Sequence, residues 1–121
     1  MKPKHFLPAL LWLLFITGLS VMPSVQLPKV DFFSADKLAH AFVYGVLTWL
    51  LLRGMRQARG GATLSWKARL VVLAFAIGYG VLMEFVQFAF IPGRFYELDD
   101  MLANGAGCLV AWALYRKWSS K

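Results

Sequence analysis

Four apolar runs, separated by short polar stretches, fill most of a chain of 121 residues. They cover about 6–22, 36–52, 69–91 and 100–115. A membrane-crossing helix needs about 20 mostly apolar residues. The second and fourth runs reach that length only if the polar residues at their starts, Asp36 to His40 and Asp100 to Asn104, are helical. What remains between the runs is too short to fold as a soluble domain. The expectation is one all-α domain over 1–121, an integral membrane bundle of four transmembrane helices. The hydrophobic share of 60% fits this reading, because soluble domains hold about 45–50%.

The net charge of +7 would suggest a nucleic acid or acidic partner in a soluble protein. Its distribution points elsewhere. Lys2 and Lys4 precede the first run, and Arg53, Arg56, Arg59, Lys67 and Arg69 lie between the second and third. Arg116, Lys117 and Lys121 follow the fourth. Only Lys29, Lys37 and Arg94 fall on the opposite side. Basic residues accumulate on the cytoplasmic side of membrane proteins, so both termini are expected inside a bacterial cytoplasmic membrane. No nucleic-acid partner is expected. The first run exceeds the length of a secretory signal's apolar region and lacks an Ala-x-Ala site after it, so it reads as an uncleaved helix. Cys108 has no partner for an internal disulfide and reads as a small buried filler.

Polar residues interrupt three of the runs: Asp36, His40 and Tyr44 in the second, Glu84 and Gln87 in the third, Asp100 and Asn104 in the fourth. Spacings of three or four place each set on one helix face. Under the charge-derived topology all three sets fall in the outer half of the membrane. An ionisable group at mid-membrane costs roughly 2.5–3.5 kcal/mol, so each set should face the bundle interior. Ala41 and Gly45, and Ala103, Gly107 and Ala111, carry the small-xxx-small spacing that lets helices approach closely. A short internal echo supports the same picture. Asp36-Lys-Leu-Ala-His40 aligns with Asp100-Met-Leu-Ala-Asn104 at an offset of 64, as in a parallel repeat about an axis along the membrane normal.

Several chemistries fit this set. Glu84 beside His40 would make an acid/base pair. Asp36, His40, Glu84 and Asp100 would offer a divalent metal an oxygen-rich site, although a single histidine at this face and no usable cysteine weigh against one. No other cofactor is indicated. Arg94 at the mouth suits a phosphate or carboxylate. Against these stands a plain alternative, in which His40, Gln87 and Asn104 only bond helices together. The Gly60–Gly61 loop lacks the Lys-Ser/Thr of a phosphate-binding loop.

The pattern Asp36-Lys37-x-x-His40-x-x-x-Tyr44, Glu84-x-x-Gln87, Pro92-Gly-Arg94 and Asp100-x-x-x-Asn104-x-x-Gly107 resembles the VanZ-like membrane proteins. The likeness spans about 36–111, with Ala111 where a glycine would be expected. It implies Asp36, His40, Tyr44, Glu84, Gln87, Arg94, Asp100 and Asn104 as the polar set. It also implies a link to resistance against the glycopeptide teicoplanin. The leading expectation is a multi-pass membrane protein with an outward-facing pocket. That pocket would bind, and in the catalytic version modify, an anionic envelope component such as a lipid or cell-wall precursor. A non-catalytic subunit or assembly factor, and a small transporter acting as an oligomer, are the competing expectations.

Overall fold

The computed structural model describes the backbone of residues 3–21, 33–90 and 98–119, and the side chains of 4–19, 38–90 and 101–117. Among them are four α-helices and no strand. A 3-10 turn, Pro3–Phe6, leads into α1 (Leu7–Val21), followed by α2 (Phe33–Ala58), α3 (Trp66–Phe90) and α4 (Leu98–Ser119).

α2 and α4 extend past their apolar runs at both ends and α3 starts before its run, and local chemistry explains two of these limits. α2 continues six residues past Leu52 through Arg53-Gly-Met-Arg-Gln-Ala58. It ends where Gly60 takes a positive φ of 71°, with Gly61 at 84°. Gly61 N–H then reaches back to Arg56 O (2.9 Å) and Gly60 N–H to Gln57 O (3.0 Å). This is a Schellman closure, which glycine enters without a Cβ penalty. α3 begins three residues before the apolar run because Ser65 caps it, its Oγ accepting from Ala68 N–H at 3.2 Å.

Pair contacts fix the helix directions. α2 and α4 run parallel and in register: His40 meets Asn104, Tyr44 meets Cys108, and Trp49 meets Tyr115. α1 is antiparallel to α2, through Trp12 Nε1 donating to Val43 O (2.8 Å) near one level and Gly54 packed on His5 and Phe6 near another. α3 is antiparallel to α4, through Gly80 against Asn104 and Arg69 against Trp112. Direction therefore alternates along the chain. One end of the bundle collects the starts of α2 and α4 and the end of α3, here the polar end. The other is the basic end.

The crossing of α2 and α4 is the tightest contact. A Cβ on Gly107 would lie 2.0 Å from Ala41 O, so the two backbones touch directly. A Cβ on Gly45 would meet Gly107 O at 3.3 Å and the Ala111 Cβ at 3.8 Å. The small residues singled out in the sequence thus do what their spacing suggests.

Leu10, Leu14, Phe42, Val71, Phe75, Phe85, Leu109 and Leu114 all point outward. A surface so rich in large apolar side chains suits lipid rather than water. Two helical segments, Leu38–Ala58 and Trp66–Phe90, are long and apolar enough to cross a membrane. α1 is apolar but shorter.

Candidate functional site

At the polar end, three helices contribute polar side chains to one layer. On α3 the buried face is Ala68, Val72, Ala76, Gly80, Met83, Glu84 and Gln87, a stripe of three- and four-residue steps. Glu84 and Gln87 therefore share the inward face, with Glu84 only 2% exposed. From α2 come Tyr44, buried, and His40, half-buried. From α4 comes Asn104, 3% exposed.

The direct link is His40 Nδ1 to Asn104 Oδ1 at 2.9 Å. An amide oxygen only accepts, so in this arrangement Nδ1 carries the proton and Nε2 is the basic nitrogen of the neutral ring. The pair joins residues 64 apart, the offset of the sequence echo. Tyr44 lies one turn below His40, within electrostatic reach of Glu84, Tyr79 and Cys108. The Tyr44 carbonyl receives the Thr48 hydroxyl (2.9 Å) and the Cys108 thiol (3.7 Å). Glu84 is not an isolated charge in an apolar wall, since it has an interaction partner in the folded chain.

Gly80 makes the layer possible. A Cβ there would lie 3.2 Å from Asn104 Nδ2 and 3.2 Å from Tyr44 Cε1. The bare backbone lets the amide and the phenol ring pack against α3. Gly80 lies four residues before Glu84 and seven before Gln87, on the same face, and was not singled out from the sequence. Thr17 of α1 and Tyr79 of α3 form a second polar link, hydroxyl to hydroxyl. Neither stands out in the sequence, because each is a single polar atom in an apolar run.

Of the expected polar set, His40, Tyr44, Glu84 and Asn104 come together here, and Gln87 is buried on the same face of α3 about one turn beyond Glu84. Arg94 lies outside the described residues, as do the side chains of Asp36 and Asp100. Among the described residues, no three His, Cys, Asp or Glu side chains cluster as a metal site would require. Two of the four residues of the expected metal set belong to the undescribed side chains. Cys108 is a buried free thiol in the core. The cavities along the bundle surface, between α2 and α4 and beside α1, are walled by residues other than His40, Glu84, Gln87 and Asn104.

The VanZ/LLP1 family model matches residues 3–119. The chain belongs to the VanZ/LLP1 family. Neither a curated protein nor a solved structure matches it. The match takes in all four helices of this VanZ-family chain, so the polar layer and the α2–α4 crossing both lie inside the family region.

Proposed function

We propose that this VanZ-family chain is a multi-pass protein of the bacterial cytoplasmic membrane. Its polar end faces outward and engages an anionic envelope component, a lipid or cell-wall precursor headgroup. The supporting observation is the burial of the Glu84 carboxyl within electrostatic reach of Tyr44, one turn from the His40–Asn104 pair. Ionisable groups deep in an apolar bundle are costly and mark functional sites. The four-span topology is part of the proposal. The 3-10 turn and α1 together rise roughly 30 Å, about the thickness of the hydrocarbon core. Ten of the 13 basic residues fall on the basic side of the chain's alternating segments, which supports a cytoplasmic position for that end.

In this reading Glu84 and His40 are the acid/base pair. Asn104 holds the His40 tautomer, and Tyr44 and Gln87 position groups beside them. Arg94 is assigned to the anion, with Asp36 and Asp100 as further binding residues. The link to teicoplanin resistance rests on family kinship alone, and fold-level kinship does not fix function.

The test uses the full chain in neutral-lipid nanodiscs and a polyprenyl phosphate as probe. Binding is read by native mass spectrometry and conversion by mass analysis of the recovered probe. Wild type should bind, Arg94→Gln should weaken binding about tenfold or more, and Glu84→Gln and His40→Ala should abolish conversion while retaining the helical signature. Wild-type protein that neither binds nor converts the probe overturns the reading, as do Glu84→Gln and His40→Ala proteins indistinguishable from wild type.

A second reading rests on the same burial. The His40–Asn104 bond and the enclosed Glu84 would lock α2, α3 and α4 together in a non-catalytic subunit or assembly factor. Glu84→Gln would then lower the folded yield without changing any binding per folded molecule.

A further inference from the structure

Between α2 and α4, on the side away from α3's polar face, runs an apolar groove of ≈ 530 Å³. Leu38, Phe42, Val46 and Trp49 wall it on α2, and Val110 and Leu114 on α4. Directly beyond Trp49 the wall changes character. A recess of ≈ 560 Å³ is lined by Trp49, Arg53, Arg56, Gln57 and Tyr115. Trp49 lines both cavities, so an apolar groove and a basic recess adjoin at this side chain. The α2 side is a single helical stripe: 38, 42, 46, 49, 53 and 56 follow in steps of three and four.

We propose that groove and recess together bind an acidic phospholipid of the cytoplasmic leaflet, with one acyl chain along the groove and the phosphate between Arg53 and Arg56. The site is distinct from the polar end and rests on the same membrane-embedded topology. The dimensions agree. Leu38 to Trp49 rises roughly 16 Å, and one leaflet of hydrocarbon is about 15 Å deep. The chemistry agrees as well. Arg53 is exposed, and Arg56 is steered by its Nε donating to Gly61 O at 3.1 Å. Gly61 owes its place to the glycine closure of α2. Guanidinium groups pair with phosphate through two parallel donors. Trp49 is braced edge-on by Tyr115, ring centroids 4.9 Å apart, at the level where a lipid passes from acyl chain to headgroup. Aromatic side chains favour that depth. Exposed Arg116 and Lys117 close by add to the positive field.

A membrane lipid is favoured over a soluble phosphate because the basic recess adjoins a groove walled by apolar side chains, which a free phosphate would leave empty. The experiment compares dissociation constants of the full chain for phosphatidylglycerol and phosphatidylcholine of equal chain length, measured by native mass spectrometry from neutral micelles. Glycerol phosphate serves as the soluble headgroup. Phosphatidylglycerol should bind preferentially, and glycerol phosphate should not bind detectably. Arg53→Gln with Arg56→Gln should weaken phosphatidylglycerol about thirtyfold, the scale for two basic residues at an anionic surface. Arg59→Gln with Lys67→Gln, which removes equal charge from exposed positions outside the groove and recess, should change it less than threefold. Ala106→Phe, a lipid-facing change that fills the groove, should also weaken binding.

Equal binding of the two lipids overturns the proposal, as does equal loss in both arginine and control pairs, which would signify diffuse surface charge. Binding of glycerol phosphate as tight as that of the lipid overturns it too, as does cross-linking between Leu114→Cys chains, which would put a second copy in the groove. None of these variants alters Glu84, His40 or Arg94, so the result is independent of the outward-facing site.

Discussion

The two ends of the bundle both bury polar atoms, but they do so in different ways. At the polar end, side chains of three helices are enclosed together: the His40 imidazole bonds the Asn104 amide, the Tyr44 ring packs on Gly80, and Glu84 is buried on the same face of α3. At the basic end, aromatic side chains meet backbone. Trp112 Nε1 donates to Arg69 O at 3.0 Å, and the Arg69 guanidinium lies over the same indole, 5.6 Å from its centroid. Tyr115, Leu52, Leu64, Ala68 and Val72 form the apolar core beneath. The basic end is built like an interface, where Trp and Arg combine an apolar body with a polar tip. The polar end places ionisable groups where no such anchoring role requires them. That difference is the physical reason for assigning chemistry to one end and surface anchoring to the other.

The comparison can be broken most severely at Gly107. A Cβ there would fall 2.0 Å from Ala41 O, closer than any Cβ contact in real proteins, and the obstacle is backbone rather than a mobile side chain. Gly107→Ala should therefore force α4 away from α2, separate Asn104 from His40, and sharply reduce folded protein recovered after solubilisation. Gly105→Ala is the control, since a Cβ there meets nothing within 4 Å. Size-exclusion profiles and thermal scans distinguish the two. Equal behaviour of the variants would remove the close crossing and, with it, the geometry that builds the polar layer.

Much of this was legible in the sequence for identifiable reasons. The inward placement of Glu84, Gln87, Tyr44 and Asn104 follows from helical spacing and the cost of polar groups in an apolar setting. The in-register pairing of α2 with α4 was foreshadowed by the echo at offset 64, and it appears as the His40–Asn104 bond. Other features were not legible, because they depend on which helix lies opposite. Thr17 finds Tyr79 across 62 residues, and Gly80 matters only because Asn104 and Tyr44 arrive against it. The inner extent of α2 was missed for a simpler reason. Apolarity marks where a helix meets lipid, whereas Gly60 and Gly61 mark where it ends.

A milder perturbation asks how strongly the polar end is coupled. A double-mutant cycle on His40→Ala and Asn104→Ala isolates the 2.9 Å contact between them. Interhelical hydrogen bonds in membranes average about 0.6 kcal/mol and reach about 1.7. The coupling here should lie in the upper part of that range, because Asn104 is enclosed and the bond joins two helices already in backbone contact. Denaturation of the four proteins in one detergent gives the value. A coupling of zero would leave the pair as neighbours without mutual support.

The smallest effect should come from the basic end. Trp112→Phe removes the Nε1 donor and leaves an aromatic ring beneath the Arg69 guanidinium. The freed acceptor is a backbone carbonyl early in α3, near the expected membrane surface where water supplies a replacement. The loss should therefore sit near the lower limit for a hydrogen bond, about 0.5 kcal/mol, measured as a shift in denaturation midpoint in the same detergent. Trp12→Phe offers the matched case deeper in the bundle, because Trp12 Nε1 donates to Val43 O one residue from Tyr44. If depth decides the cost, Trp12→Phe should be the more damaging of the two. If Trp112→Phe costs as much as Trp12→Phe, or more than the His40–Asn104 coupling, the basic end is as dependent on its polar contacts as the polar end. The contrast that assigns chemistry to only one of them would then fail.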